Sequence, residues 1–433
     1  MKKVYSLMFL LLLVTGLAAC TGEKEESSSE AATNSEGKTV IEYWHVNAET
    51  QGGKTVEELV SSFNEQSETV EVVAKYNPDM YKGLMQNLQA EAAAGTSPAV
   101  VQVGWAFLDY FSNTFEYTEP QTIIDQHFPD DKTFLTDNFL PNILDLAVNN
   151  EGKQVGIPYS LSTPVLYLNK DLLREAGLDE NGPKTWEELK TFAEAVKEKT
   201  GKYGLYIQEP ADNWATQALL ESNGAQMITN GKATFASEEG IQAYSLWADL
   251  VASKSALHIG WDQGVQSFID GNVAMLYTTI AQRSNVQNNA KFDVATVKSP
   301  AWEGKQVKLP AGGAMLAITA KGEEQQKAAW EFMKYLYSVE SIAKWTEGTG
   351  YVPPREGVAD AENGLKQFLE ENEMMQAAID QMDVVVPWTS FPGDAGLQAE
   401  QMLIDMRDQV LSGSITVEEG LKQTQEQINS LLQ

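Results

Sequence analysis

Between Thr39 and Gly104 the hydrophobic pattern switches repeatedly between two periods, and nothing else in the sequence constrains the fold as much. Residues 39–45, TVIEYWH, have the β-branched and aromatic content of a strand. In residues 53–66, GKTVEELVSSFNEQ, the apolar side chains Val56, Leu59, Val60 and Phe63 recur at helical spacing. A second strand, TVEVVAK (69–75), precedes a second helix over 79–94 with Met80, Leu84, Leu88 and Ala92 on one face. A third strand, AVVQVG (99–104), completes the series. Strands alternating with helices in this order imply a parallel sheet, because each connection must cross back over the sheet and cover its face.

The alternation restarts further along. Residues 154–169, QVGIPYSLSTPVLYLN, read as one long strand. Residues 185–201 read as a helix capped by Thr185, with Glu188 completing a capping box. Helical spacing recurs over 213–223, 237–253 and 261–270, before the strands VAMLYT (273–278) and GGAMLAIT (312–319). From Glu323 onward the pattern is mostly helical, and the last helix, 416–432, carries Val417, Leu421, Ile428 and Leu431 on one side. The expected architecture is α/β, in two lobes, with extra helices at the C-terminal end.

A length of 433 residues, 43% of them hydrophobic, with ten tryptophans, is enough to fill two cores. The net charge of −30 argues against nucleic acid, whose phosphates demand clustered lysine and arginine. It equally disfavours adsorption to anionic lipid. The arginines are Arg174, Arg283, Arg355 and Arg407, well scattered. One cysteine makes no intrachain disulfide and no thiolate metal site, and His45, His127 and His258 are far apart, so neither a dedicated metal site nor a cofactor is expected, and calcium held by carboxylates alone is the one metal reading left open.

At the N-terminus Lys2 and Lys3 precede an apolar core and then small residues, the parts of a secretory signal peptide over 1–19. That core is shorter than the roughly 20 residues a membrane span needs. Leu17-Ala18-Ala19-Cys20 resembles the box of bacterial lipoproteins, in which cleavage before the cysteine frees a thiol to take a diacylglycerol. Two acyl chains anchor a protein stably. The acidic, Ser-rich residues that follow contain no aromatic and no Val, Ile or Leu, so 20–37 reads as the lipidated cysteine and a solvated tether. The chain is expected to be secreted and held by Cys20 to the outer face of the bacterial cytoplasmic membrane.

AETQGGKT (48–55) imitates a phosphate-binding loop, but Ala48 stands where the motif needs glycine and Glu49 would repel a phosphate. It reads instead as a flexible helix entry lining a cleft. No Gly-x-Ser-x-Gly elbow is present, and a glycosidase carboxylate pair has no linear signature. The aromatics say more. Trp186, Trp247, Trp330 and Trp345 fall on apolar helix faces and read as core. Trp44, Trp105, Trp214, Trp261, Trp302 and Trp388 fall at strand ends, helix starts or irregular segments. Loops at the carboxyl ends of strands are where open α/β sheets bind ligands. A flat indole can stack on the C–H face of a sugar while polar neighbours bond its hydroxyls. Several of these six are therefore expected to line one cleft.

Taken in order, YWHVNAETQGGKTVEELVSSFNEQ, SPAVVQVG, IPYSLSTPVLYLNKDLLREAGLDENGPKTWEEL, FIDGNVAML, AGGAML and WTEGTGYVPPREGV resemble the extracellular solute-binding proteins of sugar ABC importers. The resemblance is strongest to the glycerol-3-phosphate-binding branch of family 1 and runs from about residue 40 to the C-terminus. It implies a type II periplasmic-binding-protein-like fold: two discontinuous lobes joined by a hinge, with the ligand between them. Lobe one would hold 38–146 and 279–320, lobe two 147–278 and 321–433, with hinge segments near 147–153, 276–280 and 320–322. Matching motifs carry ligand positions onto Tyr81, Trp105, Ser162, Thr279, Gly313 and Tyr351. Trp44, His45, Trp214, Trp261, Tyr277, Gly312, Trp388 and Asp394 join them as candidates.

Two departures bear on the ligand. Glycerol-phosphate binders carry a carboxylate where Trp105 stands, and an arginine before their closing helices where DVVVPWTSFPGDAGLQAEQ (383–401) has none. Lysine replaces a bidentate arginine poorly at a phosphate. Trp388 and Asp394 suit a neutral mono- or oligosaccharide better, with glycerol phosphate or its diesters as the alternative. The resemblance implies a monomeric binder without catalysis that delivers its ligand to membrane permease subunits driven by a separate ATPase. A secreted glycoside hydrolase, and a binding protein serving a sensor or adhesin, are the rival readings.

Overall fold

The computed structural model describes residues 32–209, 212–392 and 395–432. The expected signal peptide and Cys20 lie outside them, as does Asp394. Residues 32–38, expected to belong to the tether, instead turn back onto the first strand. The Asn34 side chain accepts from the backbone N–H groups of Glu36 and Lys38, and Thr33 bridges Thr39.

Two five-stranded sheets organise the rest. In the first, Val70–Tyr76, Thr39–His45 and Val100–Gly104 run parallel, followed by Gly312–Ile318 antiparallel and then Ile157–Ser162. In the second, the order is Val294–Lys298, Pro164–Asn169, Val273–Thr279, Tyr203–Ile207 and Ala256–Leu257, with Pro164–Asn169 as the antiparallel member. Both sheets are covered on both faces. In the first strand Ile41 and Tyr43 enter one core, while Trp44, with Val46 just beyond the strand, enters another. In the second sheet Leu166 and Leu168 face one core, Val165 and Tyr167 the other. A period of two, both faces apolar, is what a sheet buried under helices requires.

The run 154–169 is two strands, not one. Ile157–Ser162 pairs in the first sheet and Pro164–Asn169 in the second, so the chain crosses between sheets at Thr163. The Thr163 carbonyl accepts from Ile280 N at 3.2 Å, and its hydroxyl accepts from Gln381 Nε2 at 2.8 Å. A second crossing lies between Val294–Lys298 and Gly312–Ile318. These pairings depart from the expected lobe boundaries. Ile157–Ser162 sits with the first sheet because Ser162 registers with Gly312, and Val294–Lys298 sits with the second because Lys298 registers with Val165. Helices Glu323–Leu336 and Val339–Thr349 cover the first sheet through Trp330, Phe332 and Trp345. Helices Gly396–Leu411 and Val417–Leu431 cover the second through Leu403, Leu421 and Ile428.

Among the described residues no helix is long and apolar enough to cross a membrane.

Candidate functional site

The two sheets bring their strand ends to one cavity. It is narrow, with room of about 20 Å³ for the centre of a water-sized sphere, and is lined by Gln51, Met80, Tyr81, Ser162, Gln208, Asp212, Trp214, Trp261, Thr279, Gly312, Gly313, Tyr351 and Trp388. Gln51 follows the first strand, Ser162 and Thr279 end theirs, and Gln208 follows Tyr203–Ile207. Gly312 begins an antiparallel strand and so reaches the same edge. This is the carboxyl edge at which open α/β sheets bind ligands.

The first sheet supplies close backbone and hydroxyls. Gly313 has φ +104, a conformation open to glycine but strained for any side chain, and a Cβ there would run into the Ser160 carbonyl. A Cβ on Gly312 would strike Ser162 Oγ and the Trp214 ring. Tyr351 is stacked on Trp345, centroids 5.5 Å apart and planes 10° apart, which fixes its ring. Tyr81 lies beside Tyr351, and its buried hydroxyl has no hydrogen-bond partner of ordinary geometry among the described residues. Burial holds that phenol well above its usual pKa. It is a neutral group that can still donate.

The second sheet supplies aromatic faces and the charge. Trp214 opens helix Trp214–Ser222, with its indole N–H donated to Pro310 O at 2.9 Å. Trp261 opens helix Trp261–Ile269 and donates to Thr278 Oγ1 at 3.3 Å. Gln208 Oε1 accepts from Thr279 N at 3.3 Å and from the Thr278 hydroxyl. Asp212 Oδ1 accepts from Trp214 N at 3.2 Å. Burial pushes the Asp212 carboxyl up to about 6. Behind it Glu400, buried and accepting from Asn213 Nδ2 at 2.9 Å, is pushed up to about 7, again by burial first.

Trp388 stands between the two sides, 6.2 Å from Trp214 and 6.5 Å from Tyr81, edge-on to the latter. Its segment is clamped by the Gln217 amide, which donates to Pro387 O at 3.0 Å and accepts from Thr389 N at 2.9 Å.

Nine of the residues expected from sequence thus meet at this cavity: Tyr81, Ser162, Trp214, Trp261, Thr279, Gly312, Gly313, Tyr351 and Trp388. Four others do not line it. Trp44 alternates into the core, its N–H on Glu42 at 2.8 Å and Lys75 over its ring. His45 packs between Tyr43 and Tyr76, accepts from Asn47 N at 3.2 Å, and is held down to about 4 by burial, hence uncharged near neutrality. Tyr277 shares a core face with Met275, edge-on to Trp186, its hydroxyl on Ser299 at 2.8 Å. Trp105 donates to Gly312 O at 3.3 Å but turns its ring into a neighbouring chamber. Trp302, a further candidate, is core, bonded to Leu219 O at 3.1 Å. Gln51, Met80, Gln208 and Asp212 were not anticipated. Their signal was positional, since Gln51, Gln208 and Asp212 lie in segments that follow a strand and precede a helix, and Met80 opens the helix Met80–Ala94.

One side-chain group among the described residues has the spacing of a metal site: Glu209, His258 and Asp408, with ligand atoms within 4.8 Å of one another. His258 Nδ1 already pairs with Glu209 Oε2 at 2.6 Å, and the Arg407 guanidinium meets Asp408 Oδ1 at 3.1 and 3.0 Å. An arginine cation therefore supplies the positive charge there.

Two sheets whose strand ends enclose an aromatic, polar cavity, with the chain crossing between them, define a two-lobe binding protein. The model of the bacterial extracellular solute-binding protein family matches residues 58–376. The chain belongs to that family, a family of binders. The sn-glycerol-3-phosphate-binding periplasmic protein UgpB of Shigella dysenteriae serotype 1 is 26% identical over 427 residues, covering 92% of this chain and 94% of the relative. Among solved structures, UgpB from Mycobacterium tuberculosis in complex with glycerophosphocholine superposes with a TM-score of 0.81 at 21% identity, over 92% of this chain and 99% of that one. A substrate-binding protein from Listeria monocytogenes in complex with cycloalternan superposes with a TM-score of 0.78 at 20% identity, over 91% and 99%. The fold is that of the type II periplasmic binding proteins.

Proposed function

We propose that the protein captures a neutral carbohydrate between its two sheets and delivers it to the membrane permease of an ABC importer. The observation that carries this reading is the charge of the cavity. Five aromatic rings, amides, hydroxyls and glycine backbone line it, and Asp212 is its one charged side chain among the described residues. A carboxylate and amides pair with sugar hydroxyls, and aromatic faces stack on sugar C–H surfaces. A phosphate ester would meet a negative charge and no lining cation. A choline-bearing diester would find rings and a carboxylate for its ammonium, but nothing for its phosphate.

On this reading one lobe is built on the first sheet with helices Glu323–Leu336 and Val339–Thr349, and the other on the second sheet with the two C-terminal helices. The chain would bend at Thr163 and between Lys298 and Gly312. Ligand contacts made only when both lobes close would shift the population to the closed form, which the permease recognises. Lipidation of Cys20 would keep a monomeric binder close to that permease and raise its effective concentration.

The test is a thermal-shift panel of neutral mono-, di- and trisaccharides beside sn-glycerol 3-phosphate and glycerophosphocholine, since a ligand of the folded state raises the melting temperature. At least one neutral sugar is expected to stabilise the protein, without release of new reducing ends. Stabilisation by the phosphate compounds alone contradicts the reading.

A further inference from the structure

Helix Gly396–Leu411 packs into the second-sheet core through Ala399, Leu403 and Met406, yet its N-terminal half touches the first-sheet side. Gly396 lies against Tyr110 of helix Leu108–Thr114, so close that a Cβ on Gly396 would sit 3.1 Å from Tyr110 Cβ. Just before the helix, Ser390 Oγ accepts from Asp109 N at 3.1 Å. Further along it, Gln401 Oε1 accepts from the Lys82 ammonium, a bond between residues 319 apart in the chain.

Each end of the Lys82–Gln401 bond is fixed from within its own side. Gln401 Nε2 donates to Asp405 Oδ1 at 2.5 Å, one turn on, which leaves its Oε1 turned toward Lys82. Lys82 follows Tyr81 in helix Met80–Ala94, and a Cβ on Gly104 of the first sheet would strike the Tyr81 ring. Leu84 and Leu88 seal that helix into a core shared with Val101 and Val103, so Lys82 is carried by the first sheet. The charge across the gap is complementary. Glu400 lies next to Gln401 in the helix; burial raises its pKa, Asp212 adds to the rise, and the Lys82 ammonium opposes it. A charged donor makes the bond stronger than a neutral pair would. Neither Lys82 nor Gln401 lines the ligand cavity.

We infer that the Lys82–Gln401 bond is a clasp between the lobes, which holds the closed form together and sets ligand affinity from outside the ligand contacts. The inference rests on the two-lobe bending proposed above and does not depend on which ligand is carried. Losing the clasp lowers the closed fraction, and apparent affinity falls with that fraction while every ligand contact stays in place. Lys82 and Gln401 are positioning residues: they act through the lobes.

Double electron–electron resonance reads the lobe separation directly. Spin labels go on Glu65→Cys and Glu198→Cys, both exposed and one on each lobe, in the full chain carrying Cys20→Ser. Lys82→Ala is expected to raise the ratio of long to short separations about ten-fold. Lys82→Glu, which sets a carboxylate against the acidic side, is expected to raise it further. Exchanging the partners, Lys82→Gln with Gln401→Lys, is expected to restore the original distribution, a recovery that a merely damaged fold would not give. Gly396→Phe, a wedge against Tyr110, reports whether the lobes part at all. Opening by the wedge but by neither Lys82 variant overturns the clasp and leaves the two-lobe reading standing. Opening by Lys82→Ala that the exchange does not reverse overturns the clasp as well. An unchanged distance in every variant overturns both the clasp and the bending it rests on.

Discussion

The two walls of the cavity are built by opposite means. The first-sheet wall is made by removing side chains: Gly312 and Gly313 expose backbone, and Ser162, Tyr81 and Tyr351 add uncharged hydroxyls. The second-sheet wall is made by adding them: Trp214 and Trp261 open helices at the cavity, and Gln208 and Asp212 bring an amide and a carboxylate. Close approach on one side and aromatic faces with a charge on the other divide the work. On the proposed reading, the first wall sets whether a ligand fits and the second sets which chemistry it must have.

The division breaks most completely at Gly313. A valine there would combine a strained positive φ with a Cβ against the Ser160 carbonyl, so ligand-induced thermal stabilisation is expected to vanish. The variant should also lose more than about 1 kcal/mol of stability in urea unfolding. On the opposite wall Trp214→Ala should lower affinity about 100-fold by calorimetry, the loss of a central aromatic anchor. Trp302→Ala, which removes a core indole of the same lobe, should cost stability of about 3–5 kcal/mol and leave affinity intact in the fraction that remains folded.

The carboxylate sharpens the comparison by pH. With Asp212 pushed up to about 6, it is ionised at pH 7.5 and takes up its proton as pH falls through 6, which weakens it as an acceptor from sugar hydroxyls. Wild-type affinity should fall as pH is lowered from 7.5 to 5. Asp212→Asn should bind about ten-fold more weakly at pH 7.5 and show no such slope. First-wall variants should keep the wild-type pH profile.

The smallest expected effect concerns stability. Glu400 is held at about 7, above its ordinary 4.5, so the native state keeps a proton that the unfolded chain releases. That contribution is whole below pH 4.5 and is lost as pH rises through 7. Wild-type unfolding free energy should therefore decline across this window, and Glu400→Gln should flatten that decline.

Much of the fold was legible because period-two and helical patterns report buried faces, and these elements are buried on both sides. The core positions of Trp186, Trp247, Trp330 and Trp345 followed from helical spacing in the same way. The break at Thr163 was not legible as a change of sheet, since the two strands flanking it are uniformly buried and follow one another with only Thr163 between them. Lobe membership depends on strand pairing between residues more than a hundred apart, which no local pattern encodes. Of the tryptophans in irregular segments, Trp214, Trp261 and Trp388 line the cavity. The same signal misled at Trp302, and strand alternation, applied to Trp44 and Tyr277, would have sent both to the core. Asp212 was hidden because one acid among many in an acidic chain carries no mark until its burial is known.

The most direct test of the account is a crystal structure of the protein with a neutral sugar that stabilises it. A sugar ring against Trp214, Trp261 or Trp388, with a hydroxyl on the Asp212 carboxylate and the ring edge over Gly312 and Gly313, is the predicted result. Density for the sugar elsewhere, with this cavity unchanged, would contradict the account.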